Sequence, residues 1–240
     1  MKHNLFSLLP CLVGCGLLLS ACGKHDDPVL DNYRLLLDEG SQWNVLYTSA
    51  STPEIESVTY KTSIQSIQGD STIKGVTYKK VMLTYSESKT DWQLYALLRE
   101  DITEQKIYLY KDGNEELLYD FGMGIGDKAT LYLNNYYFSY PIDYYLQLQA
   151  INTLTDTRQE IYHEFVYGVY VKMEDGYNML YTHTTYERFG SEYGLIPQNM
   201  TLIDGGGSYQ LLCAYDSTNT LLWSRKDNNK PYDGYCFYSE

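Results

Sequence analysis

The chain has 240 residues, 18 basic against 31 acidic, for a formal net charge of −13 at pH 7. With 44% hydrophobic and 20% charged residues it has the balance of a globular chain, long enough for one large domain or two small ones. The acidity argues against a nucleic-acid partner, because no basic field is present to neutralise phosphates, and the compositional outlier is tyrosine, with 27 residues against 6 Phe and 3 Trp.

In chain order, residues 1–21 read as an export signal. Lys2 opens it, and an apolar run from Leu5 to Leu19, broken by Pro10, Gly14 and Gly16, is short for a spanning helix. The run ends in Leu19-Ser20-Ala21-Cys22, which resembles the lipobox of bacterial lipoproteins: an apolar residue, two small residues, then Cys. The resemblance implies that the Cys22 thiol takes a diacylglycerol group, that cleavage falls before Cys22, and that the new amino group is acylated with a palmitate-type chain. Several chains anchor stably because each buried methylene contributes about 0.8 kcal/mol, whereas one chain is marginal. The plainer alternative is an ordinary signal peptide with a chance cysteine. Lys24 followed by Asp26 and Asp27 is similar to signals that send lipoproteins of the Bacteroidota to the cell surface, and it also suits a solvated tether. The expected organisation is a signal peptide over 1–21, a lipidated tether over 22–39 and a single β-rich domain over 40–240, lipid-anchored at the outer membrane and facing outward. No later stretch approaches the roughly 18 apolar residues that a membrane span needs.

One helix is expected, from Val29 to Glu39, capped by Asp31 and ended by Gly40. Beyond it, period-two alternation predicts strands over 43–48, 57–64, 76–85, 92–99, 106–110 and 117–121, then 130–133, 143–153, 158–171, 177–187, 208–215 and 220–224. Turn chemistry separates them: Gly69-Asp70-Ser71-Thr72, Asp112-Gly113-Asn114, Thr155-Asp156-Thr157, Asp175-Gly176 and Ser217-Thr218-Asn219. The fold class is therefore all-β, an antiparallel meander closed into a barrel or folded into a β-sandwich, with at most that one short N-terminal helix. Tyrosine suits half-exposed sheet faces as a strand former with a polar tip, so its excess serves either the fold or a ligand-binding surface.

Cys11 and Cys15 leave with the signal and Cys22 carries lipid, so Cys213 and Cys236 remain as an even pair in an exported chain. The expected disulfide between them contributes up to roughly 3 kcal/mol on a chain-entropy argument and pins the C-terminal segment to a core strand; the alternative is two buried thiols. The pair lacks the spacing and histidines of a zinc site, and no metal or other cofactor is expected.

Several segments together resemble an uncharacterised family of Bacteroidota lipoproteins. They are Trp43-Asn44-Val45, the stretch from Gly69 to Val81, Leu98-Arg99-Glu100-Asp101, Glu116 to Phe121 with Gly126-Asp127, Gly190-Ser191 with Gly194-Leu195, and Leu211-Leu212-Cys213 with a closing Cys236. Residues 186–189 depart from the family's pattern. The resemblance implies a β-rich exported domain and supplies no activity. Within it, Arg99, Glu100, Asp120 and Asp127 are either fold-defining or a functional patch.

Motifs for catalysis are poor. His163-Glu164-Phe165-Val166-Tyr167 opens like a zincin helix but lacks the second His and reads as strand. In Gly190-Ser191-Glu192-Tyr193-Gly194 the serine is not central, as a nucleophile elbow requires. Asp204-Gly205-Gly206-Gly207-Ser208 lacks the lysine of a phosphate loop, and Asp112 to Glu116 lacks a calcium-loop pattern. The chain is thus expected not to be an enzyme. Asp70-Ser71-Thr72 and Asp216-Ser217-Thr218 resemble a three-residue O-glycosylation signal at Ser71 and Ser217. The expected role is non-catalytic binding of a glycan or peptide, with Trp92 and Trp223 as exposed ligand-stacking candidates and Trp43 in the core. The alternative is a structural or accessory component of an envelope complex.

Overall fold

The computed structural model describes residues 33, 35–49, 58–133, 143–156, 158–197, 208–226 and 231–239, and among these described residues alternation and turn residues resolve into thirteen strands and no helix. The strands are β1 (Gln42–Thr48), β2 (Tyr60–Ile73), β3 (Val76–Thr84), β4 (Gln93–Asp101), β5 (Lys106–Lys111), β6 (Asn114–Asp120) and β7 (Lys128–Ala129). They continue with β8 (Tyr144–Thr155), β9 (Ile161–Met173), β10 (Gly176–Tyr186), β11 (Gly190–Ser191), β12 (Ser208–Tyr215) and β13 (Leu221–Ser224). Two antiparallel sheets result, one ordered β13-β12-β1-β2-β3-β4-β5-β6 and one ordered β11-β10-β9-β8-β7. The chain is all-β, and its meander runs through both sheets. No closed barrel forms among the described residues, since β13 and β6 end the larger sheet without pairing.

Local chemistry sets the register. Asp112 and Gly113 both adopt positive φ, 51° and 89°, the shape a two-residue hairpin turn needs to match strand twist. Lys74 and Gly75 do the same at 51° and 84°, and they displace the turn expected at Gly69 to Thr72. Those four residues instead extend β2 past a bulge between Ile67 and Asp70, so that Ser71 pairs with Tyr78. The ladder wins because Gly75 supplies the positive φ at little steric cost, leaving Thr72 and Ile73 free to act as strand formers. The strand expected over 130–133 does not form; the two-residue strand Lys128–Ala129 lies just before it, and Leu131 and Leu133 are buried outside any strand.

The expected N-terminal helix is corrected where it is described. Residues 36–37 bend and residues 39–40 turn. The N–H groups of Leu36 and Leu37 donate to the Glu100 carboxylate at 2.9 and 3.0 Å, and Tyr33 Oη donates to it at 2.5 Å. A side chain from β4 thus takes the hydrogen bonds a helix would have used. Leu36 and Leu37 are 1% and 3% exposed in the core, so the packed domain begins ahead of Gly40. Residues 1–32, with the lipobox and Cys22, lie outside the described residues.

One core joins the sheets. Trp43, Val45, Leu98 and Ile107 enter it from the larger sheet and Leu146, Phe165 and Tyr167 from the smaller. Each such side chain contributes about 1.5–3 kcal/mol on burial. Hydrogen bonds cross the interface: Tyr167 Oη donates to the Asp120 carbonyl at 3.2 Å, Trp43 Nε1 to the Phe189 carbonyl at 2.9 Å, and Tyr119 Oη to the Leu195 carbonyl at 2.6 Å. Residues 187–196 are thereby fastened to the larger sheet while β11 pairs with β10 of the smaller. Cys213 and Cys236 are joined in a disulfide with a Cα–Cα distance of 5.3 Å.

Candidate functional site

The outer side of the five-stranded sheet carries the clearest concentration of unusual features. Its middle strand, β9, is flanked by a bulge on each side. Gln149 is the unpaired residue of β8, between the pairs Leu148↔Tyr167 and Ala150↔Val166. Leu180 is the unpaired residue of β10, between Met179↔Tyr170 and Tyr181↔Val169. Bulges bend a strand and re-aim side chains. Between them sits Gly168, paired with Gln147 on one side and Thr182 on the other. A Cβ at Gly168 would collide with the Gln149 amide and lie 2.9 Å from Tyr170 Cε2. The missing side chain therefore lets both neighbours lie across β9, and Gln149 Nε2 reaches 3.3 Å from Met179 Sδ.

Three tyrosines gather beside this notch. Tyr145 and Tyr170 lie opposite each other in register, with centroids 5.0 Å apart and ring planes within 9° of parallel. Tyr177 packs on Tyr145 at 5.0 Å and is 42% exposed, with Met179 next to it 50% exposed. The Lys128 ammonium stands 4.5 Å from the Tyr145 ring centroid, an attraction between cation and ring quadrupole. The cluster is an amphipathic surface of rings rimmed by Gln147, Gln149, Lys128 and Lys172. It lies over a strand whose backbone is already paired on both sides.

Lys128 also lines a polar cleft of about 340 Å³ with Glu104, Lys106, Asp120, Gly122, Met123, Asp127 and Ala129. The Lys106 ammonium is 3.0 Å from Glu104 and 4.0 Å from Asp120. Burial pushes the Asp120 carboxyl above the usual carboxylate range; Lys106 and the N–H of Gly122 pull the other way. Asp127 accepts the Gly124 N–H at 2.9 Å. Cleft and tyrosine surface share Lys128 and so adjoin.

Of the patch formed by Arg99, Glu100, Asp120 and Asp127, only the last two meet in this cleft. Glu100 holds residues 33–37, and Arg99 makes a two-pronged pair with Glu115 at 2.7 and 2.8 Å that holds the Glu115 carboxyl below its usual range. Trp92 and Trp223 are not brought together. Both are half-buried; Trp92 precedes β4, and Trp223 lies on β13, five strands away in the sheet. The Trp223 ring stacks on Phe189 at 5.5 Å against the main core. Trp43 is buried at 1% exposure. Ser71 sits within β2, whereas Ser217 is exposed in a turn ordered by Asp216, whose carboxylate accepts the N–H groups of Thr218 and Thr220.

Ser217 also borders a second cleft, of about 290 Å³, with Arg158, Arg188 and Asp216. Both arginines are committed there. Arg188 bonds Asp156 at 2.5 Å and Glu160 at 2.9 Å, and Arg158 bonds Asp216 at 2.8 Å. This knot ties the turns after β8, β10 and β12 and reads as structural. His163 Nδ1 lies 2.8 Å from Glu187 Oε2, and neither residue lines either cleft. Burial raises the Glu187 carboxyl against the pull of His163. The zincin-like stretch is strand β9, and Ser191 is 0% exposed, its hydroxyl donated to the Gly194 carbonyl. Among the described residues no group of three His, Cys, Asp or Glu side chains is placed to hold a metal ion.

Comparison of the chain with family models, curated proteins and solved structures finds no match. The tyrosine surface escapes a motif search because its members come from three strands. Its sequence signal is Gly168 inside an otherwise strong strand pattern, a position that marks a bulge or a close approach.

Proposed function

We propose that the chain is a non-catalytic glycan-binding lipoprotein, anchored through Cys22 at the outer membrane and facing outward. The lipobox residues support the anchor. The tyrosine surface at Tyr145, Tyr170 and Tyr177 carries the binding role. In this reading the two sheets are the layers of a β-sandwich and the smaller sheet presents its outer face to ligand.

The choice of glycan over peptide follows from the surface. A peptide adding a strand needs an unpaired edge, and the rings lie over β9, whose backbone is paired to β8 and β10. A docked amphipathic helix needs a continuous apolar groove, and here Gln147, Gln149 and Lys128 interrupt it. A sugar ring has an apolar C–H face for tyrosine and hydroxyls for amides and carboxylates, and the adjoining cleft adds Asp120 and Asp127.

Affinity electrophoresis of the chain lacking the lipidated Cys22, against a panel of soluble polysaccharides, tests the reading. Retardation by at least one is expected, weakened by Tyr170→Ala. A panel without retardation, or retardation indifferent to Tyr145→Ala and Tyr170→Ala, contradicts it.

A further inference from the structure

Strand β1 is buried on both faces. Trp43 and Val45 point into the main core, while Leu46 belongs to a separate apolar cluster with Leu212, Cys213 and Tyr232. A bulge makes that cluster possible. Asn44 pairs with Cys213 and Val45 with Leu211, so Leu212 is the unpaired residue, and Leu212 and its neighbour Cys213 both join the outer cluster. What closes over it is the C-terminal segment, 231–239.

The segment's grip on the sheet is narrow. Thr62 Oγ1 donates to the Tyr238 carbonyl at 2.5 Å and accepts the Tyr238 N–H at 2.9 Å. Asn44 Nδ2 donates to the Cys236 carbonyl at 2.7 Å, and Tyr232 Oη to Gln210 Oε1 at 2.9 Å. Tyr60 packs against Tyr232 and Tyr238, with centroids 6.0 and 5.4 Å away. The segment's ladder contact among the described residues is the single bridge Lys61↔Ser239. The covalent bond from Cys236 to Cys213 completes the attachment.

We infer that residues 231–239 are a cover locked by the Cys213–Cys236 disulfide, which a dithiol reductant opens while both sheets stay folded. Two observations carry this. The cover's apolar contacts form a cluster distinct from the core between the sheets, so that core does not depend on them. Cys236 is partly exposed whereas Cys213 is 1% exposed, so an incoming thiolate reaches the Cys236 sulfur first. Attack there forms a mixed disulfide and expels the Cys213 thiolate. The reductant's second thiol then displaces Cys236 and becomes the oxidised partner; two electrons and two protons pass to the cysteines. Opening uncovers Leu46, Tyr60, Thr62 and Leu212 on the outer face of the larger sheet.

The test is limited proteolysis of the full chain with chymotrypsin, oxidised and in dithiothreitol. Alkylation of both cysteines in a parallel sample, read by peptide mass, confirms reduction. Reduction is expected to speed cleavage after Tyr232, Tyr235 and Tyr238 by about tenfold or more, with no new cuts in β8, β9 or β10. Cys236→Ser is expected to reproduce that pattern without reductant. Unchanged cleavage after confirmed reduction, or in Cys236→Ser, overturns the inference, because the non-covalent contacts then suffice. Simultaneous digestion of β8 to β10 also overturns it, because the segment then belongs to one cooperative fold.

Discussion

On the larger sheet Tyr60 is roofed by Tyr232 and Tyr238 of the C-terminal segment, whereas on the smaller sheet Tyr145, Tyr170 and Tyr177 crowd one another and Tyr177 keeps 42% exposure. The rings are chemically identical, so their difference in role comes from the backbone around them. Over the larger sheet, the β12 bulge and a disulfide bring a second layer down, and the Tyr232 hydroxyl finds Gln210. Over the smaller sheet, two bulges and Gly168 let side chains lie flat, and the Tyr145 hydroxyl accepts a hydrogen bond from Lys128 at 3.5 Å. Tyrosine excess is thus one composition serving two ends, a glue on one face and, in the proposed function, a contact surface on the other.

The largest expected effect separates the two faces. Cys236→Ser is expected to lower the opening free energy of residues 231–239 by about 3 kcal/mol, as amide hydrogen exchange reads it, and to leave β8 to β10 unchanged. Equal loss of protection on both faces would erase the distinction.

Next comes the inner side of the open sheet, where His183 is 2% exposed and packed between Tyr167 and Tyr193. Burial holds its imidazole neutral down to about 4, against an ordinary value of 6.5. The unfolded chain therefore binds a proton that the folded chain refuses between those pH values, and stability falls as pH drops from 6.5 to 4. The share of one such histidine is at most about 3 kcal/mol. His183→Phe is expected to flatten that part of the pH–stability curve measured by urea unfolding. An unaltered slope would assign the dependence elsewhere. The Asp156 and Asp216 carboxyls are desolvated by burial but held low by backbone N–H groups and arginines, so their contribution is lost only at still lower pH.

Gly168→Leu comes third. It drives a side chain into the outer ends of the Gln149 and Tyr170 side chains, which swing aside at small cost to stability but leave their places across β9. Glycan retardation is expected to be lost with little change in melting temperature; a variant that still binds fully would remove Gly168 from the site. Smaller again, Tyr145→Ala is expected to weaken glycan binding by about tenfold, near 1.4 kcal/mol, with little change in melting temperature. Lys128→Ala, which removes an exposed cation–ring contact, should weaken binding by roughly twofold in the same titration.

Fold class was legible because alternation and turn residues are local. Asp112-Gly113 made its hairpin, β12 runs over the expected 208–215, and the Cys213–Cys236 bond formed. In the described part of the helix expected over 29–39, residues 33 and 35–39, the bends were not legible because the Glu100 carboxylate that holds them lies 64 residues from Leu36 in sequence. The turn at 69–72 misled because Gly69 serves a bulge while Gly75 makes the turn, and both have positive φ. In the candidate site, Asp120 and Asp127 were visible as members of a patch, but their separation from Arg99 and Glu100 depends on pairing across strands. The three tyrosines become neighbours only through the register of β8, β9 and β10.

Tyrosine nitration mapped by peptide mass, with and without a polysaccharide that retards the chain, tests the contrast between the faces most directly. The account predicts rapid nitration of Tyr177, with Tyr145 and Tyr170 next, slow nitration of Tyr60 and Tyr232, and protection of the first group alone when polysaccharide is added. Protection that falls elsewhere, or on neither group, would contradict the placement of the binding surface on the five-stranded sheet.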